Sequence, residues 1–86
     1  MTIDYTKEFV KRFKKLRPPE QQRFLNNLEI FKINPLDARL NNHPLKGKYK
    51  GLRSINVGGD IRALYIETDN SLILFALIGT HSQLYG

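Results

Sequence analysis

The chain has 86 residues, 14 Lys+Arg against 8 Asp+Glu, two histidines and no cysteine, for a formal net charge of +6. This length can bury one modest core, and the missing thiols exclude disulfides, cysteine nucleophiles and Cys-type zinc sites, so neither metal nor cofactor is expected. No apolar run approaches the roughly 20 residues of a membrane-spanning helix, and Met1-Thr2-Ile3-Asp4 opens no secretion signal, so the expectation is one soluble cytoplasmic domain over residues 1–86.

Thr2 to Tyr5 reads as a short strand, and Thr6 as the N-cap of a first helix with Glu8 in its first turn. Phe9, Val10, Phe13 and Leu16 keep helical spacing there, with Lys7, Lys11, Arg12, Lys14 and Lys15 on the other faces. Arg17-Pro18-Pro19 stops this helix, because a residue ahead of proline is pushed out of the α region. Pro19 suits the first turn of a second helix carrying Phe24, Leu25, Leu28, Phe31 and Ile33, closed by Asn34-Pro35. So short a link makes the two an antiparallel hairpin whose joint apolar face needs a sheet to cover it.

Leu52–Val57 and Asp60–Glu67 are rich in β-branched and aromatic residues, and Gly58-Gly59 between them signals a two-residue hairpin. After the turn residues Thr68-Asp69-Asn70-Ser71, Leu72–Ile78 is unbroken Leu, Ile, Phe and Ala, the pattern of a central strand buried on both faces. The expected fold is α+β, in the order β-α-α-β-β-β: a twisted, mainly antiparallel four-stranded sheet with a helical hairpin on one face.

Charge is distributed unevenly. Residues 1–53 carry a net +8 and residues 54–86 a net −2, a basic half that suits a polyanion, although solubility alone is the competing reading. Within it, the loop His43-Pro44-Leu45-Lys46-Gly47-Lys48-Tyr49-Lys50-Gly51 alternates charge with an aromatic ring. Lys46, Lys48 and Lys50 offer contacts to phosphates, with Arg53 just beyond, and Tyr49 a ring on which a base can stack. The same residues would also make an ordinary solvated loop. Strand alternation puts Asp60 and Arg62 on one face. They form either a salt bridge or a pair in which Asp60 orients the Arg62 fork on a phosphate. Ser54 and Asn56 fall opposite the core-facing side of their strand and would line an open surface.

After the apolar run come Gly79-Thr80-His81-Ser82-Gln83-Leu84-Tyr85-Gly86. His81 there is a solvated side chain or a proton donor, since an imidazole, with an unperturbed pKa of about 6.5, exchanges protons near neutral pH. RNA cleavage needs a base for the 2′-OH, an acid for the departing 5′-oxygen, and cations between them. His43 and His81 are the side chains whose unperturbed pKa suits both proton roles, whereas Tyr85 or Asp60 would need strong tuning.

The segments Asn42–Arg53 and Gly79–Gly86 resemble the YafQ branch of the RelE/ParE toxin superfamily, and the resemblance extends over nearly the whole chain. It implies a type II toxin, an endoribonuclease that cuts mRNA in the ribosomal A site and is neutralised by a cognate antitoxin, with no membrane involved. It carries the family's functional positions onto His43, Asp60, His81 and Tyr85, while Arg62 resembles the phosphate-contacting arginine of the RelE branch. Asn56 stands where YafQ-type members carry a further histidine; asparagine can hold a nucleotide but cannot exchange a proton. The expected site is therefore His81 as acid, His43 as base, Arg62 on phosphate, Asp60 orienting and Tyr85 stacking or sharing proton transfer. Lys46, Lys48, Lys50, Tyr49, Arg53 and Asn56 are expected to bind RNA. The alternative is a ParE-like toxin that inhibits DNA gyrase by binding and has no nuclease activity.

Overall fold

The computed structural model describes residues 1–86. Strand β1 (Thr2–Tyr5) passes into helix α1 (Lys7–Lys14) through Thr6, whose Oγ1 accepts the Phe9 N–H at 3.0 Å and donates to Ala76 O at 2.7 Å. One side chain thus caps the helix and ties its start to the sheet. Pro18 and Pro19 open helix α2 (Pro18–Ile33), where the missing N–H groups would have had no helical partner, and Glu20 accepts the Arg17 N–H at 2.9 Å. Strands β2 (His43–Pro44), β3 (Arg53–Gly58), β4 (Ile61–Glu67) and β5 (Leu72–Thr80) follow, and then a short helix α3 (His81–Tyr85). Two 3-10 turns, Ala38–Leu40 and Gly47–Tyr49, shape the loops on either side of β2.

The sheet has five strands in the order β1-β5-β4-β3-β2. β1 runs parallel to β5, with Ile3 opposite Ile73 and Tyr5 opposite Phe75, and the other pairings are antiparallel. The α+β class therefore stands, and the expected four-stranded sheet is corrected to a five-stranded mixed one with a third helix. β2 escapes a sequence reading because it has two residues and one is proline, which a sheet accepts only at an edge. The middle of the sheet is β4, while the more apolar β5 lies between β4 and β1.

The β3–β4 turn also differs from expectation by one residue. A bulge at Val57 leaves Asn56 opposite Arg62 and Gly58 opposite Ile61, so the turn is Gly59-Asp60, with Gly59 in the left-handed region at φ 55°. Asp60 is thereby moved out of the strand, and its expected place on the Arg62 face is corrected.

On one face of the sheet, Phe9, Phe24, Leu28 and Phe31 of the helical hairpin close over Ile55, Ala63, Tyr65, Ile73, Phe75 and Ile78 in one buried cluster. Its centre is aromatic: Phe24 meets Phe75 edge-on at 5.4 Å and Phe31 meets Tyr65 at 5.1 Å, geometries that aromatic quadrupoles favour. The α2 stripe is narrower than its apolar residues suggested. Leu25 and Ile33 are exposed, as is Val10 on α1, because residues one or two positions from a buried one are turned about 100° or 200° round the helix. No helix of the chain is long and apolar enough to cross a membrane.

Candidate active site

On the opposite face of the sheet, His43, Leu45, Ser54, Arg62, Leu64, His81, Leu84 and Tyr85 line a cleft of about 210 Å³. Strand alternation puts Ser54, Arg62 and Leu64 there because Ile55, Ile61, Ala63 and Tyr65 face the helices. In register, Ser54 stands between His43 on β2 and Leu64 on β4, so the edge strand delivers His43 to the cleft beside a buried serine. The loop ahead of β2 is held from the other side. Asn42 Nδ2 donates to Pro35 O at 2.9 Å and to the Tyr65 hydroxyl at 2.7 Å, and its Oδ1 accepts from Arg53 Nε at 2.9 Å. With Asn42 anchored towards the core, its neighbour His43 turns outward.

Two polar side chains of the cleft have defined orientations. His43 Nδ1 lies 2.8 Å from Asn41 O. A carbonyl can only accept, so Nδ1 carries the hydrogen and the neutral ring leaves its Nε2 lone pair free. Arg62 Nη1 donates to Gly59 O and Ile61 O, each at 3.0 Å, which holds the guanidinium by one nitrogen beside the hairpin turn. Its other donors stay open to an anion.

The third side of the cleft is α3. Thr80 Oγ1 accepts the Gln83 N–H at 3.2 Å and Gln83 Oε1 accepts the Thr80 N–H at 2.8 Å, a capping box that starts the helix directly behind β5. Helical spacing then sets His81 and Tyr85 on one face, with ring centroids 4.8 Å apart, and buries Leu84. A sequence reading that takes this stretch as a polar rim misses the helix, although Thr80-x-x-Gln83 is its signal.

The cleft therefore collects His43, Arg62, His81 and Tyr85 from three separate elements, β2, β4 and α3. Other expected residues lie elsewhere. Asp60 is exposed in the hairpin turn, and none of the four ion pairs, at Glu8–Arg12, Arg17–Glu20, Glu29–Lys32 and Asp37–Arg39, joins it to Arg62. Arg53 borders a different cavity, with Asn42 and Tyr65. Asn56 is two cross-strand pairs beyond Ser54, opposite Arg62, and its buried Oδ1 accepts no hydrogen bond. Lys46, Lys48 and Lys50 are exposed on the loop beyond β2. Tyr49 donates its hydroxyl to Leu84 O instead of standing free. No three His, Asp or Glu side chains converge as a metal ion would require. A larger groove of about 330 Å³ between α1 and α3 is lined by Lys11, Arg12, Lys15 and Gln83. Its one titratable acid, Glu8, is paired with Arg12 at 2.9 Å and held below the usual carboxylate range by that hydrogen bond, so the groove offers charge without proton transfer.

Over residues 1–86 the chain matches the family described as "Bacterial toxin of type II toxin-antitoxin system, YafQ". It is 34% identical over 82 residues to the mRNA interferase toxin YafQ of Escherichia coli strain K12, covering 95% of this chain and 88% of that protein. The crystal structure of YafQ from E. coli strain BL21(DE3) superposes with a TM-score of 0.79 at 33% identity, covering 98% of this chain and 97% of that one. YafQ in the E. coli DinJ-YafQ complex superposes with a TM-score of 0.71, also at 33% identity and with the same coverage. With the match running from the first residue to the last, the chain belongs to the YafQ family of type II toxin–antitoxin toxins.

Proposed function

We propose that this protein is an endoribonuclease that cuts mRNA in the ribosomal A site and is silenced by a cognate antitoxin. The observation that carries the reading is the convergence of His43, Arg62, His81 and Tyr85 on one cleft of an otherwise sparsely polar face. The E. coli relatives are named mRNA interferase toxins, and one of them is seen in complex with DinJ.

The chemistry follows from the ring orientations. In its neutral form His43, with Nδ1–H donated to Asn41 O, takes the proton of a ribose 2′-OH on Nε2. The freed 2′-oxygen bonds to the adjacent phosphorus, and the P–O5′ bond breaks as protonated His81 gives its proton to the 5′-oxygen. The products are a 2′,3′-cyclic phosphate and a 5′-hydroxyl. Arg62 meets the charge that grows on the phosphoryl oxygens, where donors already in place are worth most. Tyr85, stacked beside His81, gives a nucleobase a surface, and Lys46, Lys48 and Lys50 attract the strand on either side. Asp60 belongs to the turn whose Gly59 carbonyl anchors Arg62, and Asn56 stands opposite Arg62 on the neighbouring strand.

So small a set leaves much of the rate to positioning, which a ribosome holding the mRNA would supply, and free RNA should be a poor substrate. A gyrase inhibitor acting by binding alone would not need two imidazoles in one cleft. Primer extension on an mRNA under translation tests the proposal. Wild type should leave cuts in frame with codons and His81→Ala should leave none, with a loss on the order of 10²–10⁴-fold. Equal cleavage by both, or inhibition of gyrase supercoiling without cleavage, would overturn it.

A further inference from the structure

Tyr49 has more structure around it than a base-stacking ring in a basic loop would need. It ends the Gly47–Tyr49 turn, half-buried, and its hydroxyl donates to Leu84 O in the last turn of α3. Its ring stands edge-on to Tyr85 at 5.2 Å and 79°, and Lys48 Nζ lies 5.0 Å from its centroid. Tyr85 in turn lies 4.8 Å from His81. One face of the Tyr49 ring is thus occupied by an ammonium group, its neighbour is a second tyrosine, and its polar end is spent.

A helix of five residues has no stability of its own, since a single turn does not repay the cost of nucleation. Its place must be imposed at both ends. Thr80 and Gln83 fix the start; at the other end the carbonyls of the last turn lack helical donors, and Tyr49 supplies one to Leu84 O. The loop that carries the lysines is thereby joined to the helix that carries His81.

We propose that Tyr49 is a positioning residue for RNA cleavage: its hydroxyl and ring lock the end of α3 and so hold Tyr85 and His81 against the cleft. This rests on the nuclease reading given above. It departs from the expectation that Tyr49 stacks on a base, and the two make opposite predictions for the loss of a single oxygen. A stacking ring survives Tyr49→Phe intact, and Tyr49→Ala then weakens RNA binding. A clamp is damaged by both.

Single-turnover cleavage of ribosome-bound mRNA, titrated with each variant, separates them. Tyr49→Phe should lower the maximal rate about tenfold, the value of one well-placed hydrogen bond, and Tyr49→Ala about 100-fold, as expected for a displaced catalytic group. The half-saturating concentration should change far less than the maximal rate in both, any rise reflecting the base surface lost with Tyr85, because Tyr49 itself is not asked to bind RNA. Proton NMR of the free proteins gives a readout independent of catalysis. The His81 ring protons feel the Tyr85 ring current in the wild type and should move towards free-histidine positions in Tyr49→Phe, while core methyl signals stay in place. Wild-type rates for Tyr49→Phe, a change confined to half-saturation, or unshifted His81 signals would each overturn the proposal. If the wild type itself does not cut RNA, the nuclease reading falls, and the NMR comparison still decides whether Tyr49 sets the position of α3.

Discussion

The two faces of the sheet are built on different physics. Towards the helical hairpin, Phe9, Phe24, Phe31, Tyr65 and Phe75 each touch at least two other rings, so position there is set many times over by close packing. Towards the cleft, beyond the buried Leu84 and the Thr80–Gln83 capping box that seat α3, position rests on a few single polar ties: Asn41 O on His43, two backbone carbonyls on Arg62, and Tyr49 on the end of α3. Loss of one ring strains a network, whereas loss of one tie frees a functional group. The first face should therefore fail by unfolding and the second by losing rate at constant stability.

The sharpest way to break this comparison is a substitution at the aromatic centre. Phe75→Ala removes a fully buried ring in contact with Phe9, Phe24, Phe31 and Tyr65, and should cost roughly 3–5 kcal/mol of unfolding free energy in urea titration. A loss under about 1 kcal/mol would mean that the cluster relaxes freely and that the core is no more tightly determined than the cleft. On the other face, Arg62→Lys keeps the charge and discards the planar fork held by Gly59 O and Ile61 O. Cleavage should fall about 10- to 100-fold, with the urea midpoint nearly unchanged because the residue is only partly buried and makes no ion pair. A drop in stability matching the drop in rate would place Arg62 with the scaffold.

The same contrast explains what could be read from the chain beforehand. The aromatic face announces itself by period: Phe24, Leu28 and Phe31 recur at helical spacing, and the strand residues that meet them alternate. His43, Arg62, His81 and Tyr85 were recognisable as chemistry-bearing residue types and by the resemblance of their flanking motifs. Their meeting depends on register, which the Val57 bulge shifts by one residue, enough to carry Asp60 away from Arg62. Arg53 was assigned to RNA from its charge, yet Asn42 draws it to another cavity, a contact between loop and strand that no local pattern encodes. β2 and α3 were too short for periodicity. Only the Thr80-x-x-Gln83 cap marked the second of them.

The smallest effect concerns a polar tie that lies outside the cleft and leads into it. Asp37 accepts the Arg39 N–H at 2.9 Å and pairs with the Arg39 guanidinium at 2.9 Å, and these bonds hold its carboxyl down to about 2. The turn they close, Ala38–Leu40, places buried Leu40 and then Asn41, the residue on which His43 rests. A folded-state pKa below the unfolded value contributes stability that is complete above the ordinary Asp range and is lost as pH falls through the lower, folded value. The window is therefore roughly pH 4 down to 2. In urea melts from pH 5 to 2, Asp37→Asn keeps the cap acceptor and removes the charge, so its deficit against wild type should be modest at pH 5 and vanish near pH 2. A deficit that stayed constant over that range would assign the turn to the neutral hydrogen bond. The cleft-side ties would then owe nothing to charge at their base.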